Sequence, residues 1–163
     1  MTGPAPISGE GGVDAYARLA ELGLALPKVV PPLASYVPAV QSGNHVYVSG
    51  QLPMVEGKLP LTGKVGAEVT AEQGAELARL CALNALAAID GLVGLGRLVK
   101  IVKVVGFVAS APGFTGQPAV INGASKLFGD VLGEQGRHAR SAVGVAELPL
   151  GAPVEVEVIA EVE

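Results

Sequence analysis

The tightest constraint on the fold lies near the C-terminus, between Arg137 and Ala160. Two β-type runs flank a segment rich in turn residues. The first run is Ser141 to Ala146, and Leu148 to Pro153 follows it, with Pro149, Gly151 and Pro153 as breakers. In the second run Val154, Val156, Val158 and Ala160 alternate with Glu155, Glu157 and Ile159. That period of two marks a strand with one buried face. Read as a hairpin, the pair brings Arg140, at the start of the first strand, toward Glu155, near the start of the second, since antiparallel neighbours lie about 5 Å apart. The expectation is one guanidinium and one carboxylate facing a common cavity. A guanidinium is permanently charged and forks onto a carboxylate or phosphate. A carboxylate beside it can orient a water or move a proton.

The rest of the chain supplies the layers around that pair. Residues 1–12 are rich in Gly and Pro, and a frayed start is expected there. Val13 to Leu22 reads as a short helix capped by Asp14 and ended by Gly23. Pro27, Pro31 and Pro32 impose an extended connection, and Leu33 to Gln41 continues it. After the Gly43-Asn44 turn signal, His45 to Ser49 reads as a strand and Met54 to Leu61 as a hairpin around Gly57. Thr70 and Gln73 form a capping box for a helix running to about Leu92, with Ala75, Ala78, Ala82, Ala85 and Ile89 at helical spacing. Leu98 to Val108 reads as a buried strand, and Thr115 to Leu132 as a second helix weakened by Gly116, Gly123 and Gly129. The order is a short helix, three strands, helix, strand, helix, two strands. It predicts one sheet with two helices packed on one face. The other face of the sheet is also partly apolar and calls for a barrel or an oligomer.

Composition narrows the class. The chain has 163 residues, enough for one core, and only 16% are charged, below the usual quarter, which points to surface buried against copies of itself. A net charge of −4 and the lack of a basic cluster argue against nucleic acid as a partner. The single cysteine, Cys81, allows no internal disulfide and suits a cytoplasmic protein. It sits in the apolar helix, as a small core residue would. No run of about 20 uncharged apolar residues predicts a membrane span, and no basic-then-apolar leader opens the chain.

By residue type alone, Arg140 reads as a solvated cation at a strand edge. Glu155 and Glu157 read as the polar face of a strand, and Tyr36 as an edge or interface aromatic. Ser49, in Val48-Ser49-Gly50, lacks the nucleophile-elbow pattern. His45 and His138 stand isolated, without partners at metal-ligand spacing, so no metal site is expected. The Gly91 to Gly96 run follows a helix, not a strand, and is a helix stop, not a phosphate loop.

Four segments taken together resemble the RidA family, also called YjgF, of reactive intermediate deaminases, known earlier as endoribonuclease L-PSP. Ser35-Tyr36-Val37-Pro38 resembles the family's proline-tyrosine segment, with serine where proline is usual. Gly43-Asn44 through Ser49-Gly50-Gln51-Leu52-Pro53 is similar to its G-N-x-x-x-x-S-G-Q-x-P. Val120-Ile121-Asn122 falls where a V-N pair is common, and Ala139-Arg140-Ser141-Ala142-Val143 with Leu148-Pro149 and Val154 to Ala160 resembles the A-R-S-x-V…L-P…x-E-x-E-x-I-A signature. The likeness covers residues 33–163, with residues 1–32 as an N-terminal extension. It implies a chorismate-mutase-like α+β fold, a mixed sheet with two helices on one face, assembled as a homotrimer with an inner barrel and clefts between subunits. It also implies hydrolysis of short-lived enamines and imines, of the 2-aminoacrylate type, to 2-oxo acids and ammonia, with no cofactor and no metal. In that scheme Arg140 holds the substrate carboxylate and Glu155 handles the attacking water. Tyr36, from a neighbouring subunit, closes the pocket, and Ser49, Gly50, Asn122 and Ala142 line it. The alternative is a non-catalytic trimer that binds a small carboxylate or acts as a regulatory or chaperone-like protein. Glu147 and Gly144 depart from the family's usual basic and larger polar residues, and a reshaped pocket is expected from them.

Overall fold

The computed structural model describes residues 12–29 and 35–163. Readings that fall on residues 1–11 and 30–34, Pro31 and Pro32 among them, lie outside the described residues. The order is α1 (Ala15–Glu21), β1 (Ala39–Ser42), β2 (His45–Gln51), α2 (Ala71–Val93), β3 (Leu98–Ala109), α3 (Gln117–Leu132), β4 (Ala139–Val145) and β5 (Val154–Val162).

Local chemistry sets the element ends. Asp14 caps α1, its carboxylate accepting from the backbone N–H of Tyr16 at 3.1 Å and of Ala17 at 3.2 Å. The capping box on α2 is complete: Gln73 N–H donates to Thr70 Oγ1 at 3.1 Å, and Thr70 N–H donates to Gln73 Oε1 at 2.9 Å. Gly43, with φ of 57°, makes the two-residue turn that pairs Ser42 with His45.

The five strands form one sheet in the order β1-β2-β5-β3-β4. All neighbours are antiparallel except β3 and β4, which are parallel. Helices α2 and α3 cover one face, where Val46, Ile101, Val104, Val108, Val154, Val156 and Ala160 are fully buried. Leu19 of α1 joins the same core. A Cβ at Gly123 would lie 1.9 Å from the carbonyl oxygen of Ala75, so this glycine lets α3 press directly on the backbone of α2. It is a contact residue as well as a weak helix former.

Three expectations change. The C-terminal pair is not a hairpin: β3 lies between β4 and β5. The connection passes over the end of β3, where Ser110 N–H donates to Val145 O at 3.1 Å and Ala109 N–H donates to Pro153 O at 2.9 Å. The crossover through α3 makes β4 parallel to β3, and a parallel pair is what a helical crossover produces. The hairpin around Gly57 is a single bridge, Val55 with Lys58, so two strands rather than three precede α2. Glu56 and Gly57, at φ of 50° and 79°, turn the chain within two residues. Pro53 and Pro60 on either side offer no N–H to extend a ladder. Finally, α3 begins at Gln117, two residues later than expected, with Pro118 in its first turn.

Candidate functional site

The residues singled out above fall into two groups. The first is built where β4, an edge strand, lies against α3. Arg140 pairs with Val104 in register, and its side chain runs to the helix side of the sheet. One Nη1 hydrogen goes to Asn122 Oδ1 at 2.7 Å and the other to Ser125 Oγ at 3.2 Å. An Nη2 hydrogen reaches the Pro118 carbonyl at 3.4 Å. Five N–H groups fork from a guanidinium. Among the described residues, Nε–H and one Nη2 hydrogen therefore remain without a partner. Asn122 and Ser125 share a helix face because they are three residues apart. Ala142, two residues along β4, lies on the same side as Arg140 and packs against the core.

The second group sits across the sheet. Ser49 Oγ donates to Val37 O at 2.7 Å, and Ser49 N–H donates to Pro38 O at 2.8 Å. These bonds tie the Tyr36 segment to β2, and leave Tyr36 half exposed. The β2–β5 register slips between Val48 and Gln51, so Ser49 and Gly50 form a bulge. Gly50 is needed there: a Cβ on it would come within 1.9 Å of Glu155 Oε1. The vacant side chain is the space the carboxylate occupies. Glu155 alternates with Val154 and Val156, which are buried under the helices, and so faces the uncovered side of the sheet. Its partial burial pushes its carboxyl above the ordinary value, and the neighbouring charge of Glu157 adds to the rise.

Arg140 and Glu155 thus do not meet within one chain. Glu155 pairs with Phe107 and Arg140 with Val104. They are on strands two apart and rows three apart, about 10 Å in each direction, and on opposite faces. Even a hairpin would have set the start of one strand opposite the end of the other. The two departures noted in the sequence have structural partners. Glu147 is held by Lys64 at 3.0 Å. The space beside Gly144 is taken by Gln117, whose Nε2 would lie 2.8 Å from a Cβ there.

Ser125 escaped the sequence analysis, and His138, expected to stand isolated, is its partner. Ser125 and His138 are joined at 2.8 Å between Oγ and Nε2. The available signals were Ser125 three residues beyond Asn122 and His138 two residues before Arg140, each sharing a face with its partner. Among the described residues no cluster of His, Cys, Asp or Glu could hold a metal ion, and no helix is long and apolar enough to cross a membrane. Cys81 is fully buried, and that burial raises its thiol pKa well above the ordinary value.

A mixed five-stranded sheet with two helices on one face and a bulged serine-glycine pair defines a small α+β class. Residues 27–162 match the Endoribonuclease L-PSP family. The chain belongs to that family, the RidA/YjgF family of the resemblance above. It is 46% identical to Protein TCP17 of Trypanosoma cruzi over 89% of this chain and 92% of the relative. The structure of Atu1372 from Agrobacterium tumefaciens, a protein described as of unknown function, superposes with a TM-score of 0.85 at 48% identity, covering 91% of this chain and 92% of that one. A structure of Escherichia coli TdcF with bound serine aligns at a TM-score of 0.59 and 28% identity, covering 83% of this chain and 94% of that one.

Proposed function

We propose that this protein hydrolyses reactive imines and enamines of the 2-aminoacrylate type to 2-oxo acids and ammonia, in a cleft formed between two copies of a homotrimer. The observation that carries the reading is Arg140. Three of its hydrogens are committed to Pro118, Asn122 and Ser125, and among the described residues the other two have no partner at this sheet edge. That is the fork a carboxylate would take. The serine held by TdcF carries a carboxylate of this kind.

The remaining chemistry falls to the second group. An imine carbon becomes electrophilic once its nitrogen is protonated. Water adds to it, and the resulting carbinolamine expels ammonia, leaving the 2-oxo acid. Glu155 takes the proton from the attacking water and returns it to the departing nitrogen. Burial raises its pKa above the ordinary carboxylate value, which makes it a stronger proton acceptor than a solvated carboxylate. Tyr36 closes the cleft, and Ser49 holds its segment in place. Because the two groups lie on opposite faces of one sheet, the complete site takes Arg140 from one copy and Glu155 from the next. The uncovered face, with Tyr47 and Val143 exposed on it, is the surface the copies would share. No cofactor takes part in this scheme.

The test is turnover of imines generated in situ by an amino-acid oxidase, their loss followed with a trapping amine. Wild type should accelerate that loss and Arg140→Ala should not. No acceleration by a folded wild-type oligomer, across several side chains, would overturn the enzymatic reading and leave carboxylate binding, measured by thermal shift, as the function.

A further inference from the structure

We propose that His138, acting through Ser125, is a positioning residue for Arg140; this rests on the reading of Arg140 as the carboxylate anchor. The direction of each bond follows from elementary chemistry. His138 Nδ1 lies 2.7 Å from the Gly136 carbonyl oxygen. A carbonyl only accepts, so Nδ1 carries the hydrogen. In the neutral ring Nε2 is then an acceptor, and its partner at 2.8 Å is the Ser125 hydroxyl, which donates to it. With its hydrogen spent on His138, the Ser125 oxygen turns a lone pair to Arg140 Nη1 at 3.2 Å. The chain runs from Arg140 to Ser125 to His138 to Gly136, each group donating to the next.

The far end of this chain is fixed. A Cβ at Gly136 would fall 2.2 Å from the Phe128 carbonyl oxygen, so Gly136 is pressed against the backbone of α3 and its own carbonyl cannot drift. The His138 ring packs edge-on against Phe128, centroids 5.9 Å apart at 83°, and Phe128 is fully buried. An arginine on an exposed edge strand would otherwise sample many rotamers, and immobilising one costs conformational entropy. Asn122 and Ser125 together settle which edge of the guanidinium points outward, and His138 settles which way Ser125 points.

The variants that test this are Ser125→Ala, His138→Leu, their combination, and His138→Gln, whose side-chain oxygen can accept from Ser125 where Nε2 did. His138→Leu should raise KM for a carboxylate-bearing imine about tenfold and change kcat less than about twofold. Ser125→Ala should do the same, the double variant should be no worse than either single one, and His138→Gln should recover most of the loss. Independent effects that multiply in the double variant, or equal losses in His138→Leu and His138→Gln, would overturn the proposal. A second readout needs no turnover: the ¹⁵N relaxation of Arg140 Nε in the unliganded protein. It should report an ordered side chain in wild type and His138→Gln, and a mobile one in His138→Leu. An Arg140 equally ordered in all variants overturns the positioning role. Loss of order in His138→Leu, with no imine turnover by wild type, overturns the deaminase reading and leaves the positioning role standing.

Discussion

The two halves of the candidate site are held by different physics. On the arginine side, position comes from directional bonds: Asn122, Ser125 and the Pro118 carbonyl take three guanidinium hydrogens at 2.7, 3.2 and 3.4 Å. On the glutamate side, position comes from room and burial. Gly50 leaves a space that Glu155 fills, and partial burial with Glu157 nearby raises the carboxyl pKa. A charge meant to grip an anion gains from a fixed fork and from staying ionised. A group meant to exchange protons gains from a raised pKa, and desolvation supplies that. Each half is finished within one chain, yet they face opposite sides of its sheet.

Substitutions should separate the halves. The largest effect is expected from Glu155→Gln, which keeps the shape but cannot take a proton; kcat should fall about 10³-fold with KM little changed. Steady-state kinetics on a carboxylate-bearing imine would show this split. Arg140→Ala should cost about 10²-fold in kcat/KM, mostly through KM, with thermal stability almost unchanged because the residue sits at an exposed edge. Gly50→Ala should cost about tenfold in kcat by displacing the carboxylate, and the same substitution should not weaken pyruvate binding at Arg140 as measured by calorimetry. If Gly50→Ala and Arg140→Ala gave the same kinetic signature, the division between the halves would fail.

Smaller effects follow from the raised Glu155 pKa. The folded chain keeps the Glu155 proton at pH values where the unfolded chain has released it. This group therefore favours folding at low pH, and that contribution is lost as pH rises from the ordinary carboxylate value through the raised one. Glu155→Gln should accordingly raise Tm at pH 7 and leave it unchanged below about pH 4, as a pH series of melts would show. Glu157→Gln should move the acid limb of the kcat–pH profile downward, since Glu157 is the lesser cause of the rise.

Much of this was legible in the sequence because it is local. The capping box of Thr70 and Gln73 and the alternation of Val154 to Ala160 each need only a short window, and both elements formed where expected. The partner of a strand is not local. Sequence neighbours pair often enough that a hairpin was the natural expectation for β4 and β5. Here β3 stands between them, held to the connecting segment through Ala109 and Ser110. That one non-local fact put a strand between Arg140 and Glu155, and the register on β3, an odd three rows apart, sets them on opposite faces. His138 looked isolated for the same reason: its partner Ser125 is on α3, and only the packing of α3 beside β4 brings them to 2.8 Å. Gly50 was recognised by its place in the S-G-Q motif, whereas its steric role depends on a Glu155 more than a hundred residues away.

The central claim, that one working site draws on two chains, is best tested by mixing two variants, each impaired in one half, at substrate well below KM. Arg140→Ala and Glu155→Gln chains, differently tagged, would be co-assembled in equal amounts and imine turnover measured. If Arg140 and Glu155 of each site come from neighbouring copies, random assembly leaves about a quarter of the sites with both groups intact, and about a quarter of wild-type activity should return. If both groups act from the same chain, no site is intact, and activity at the level of the unmixed variants would contradict the account.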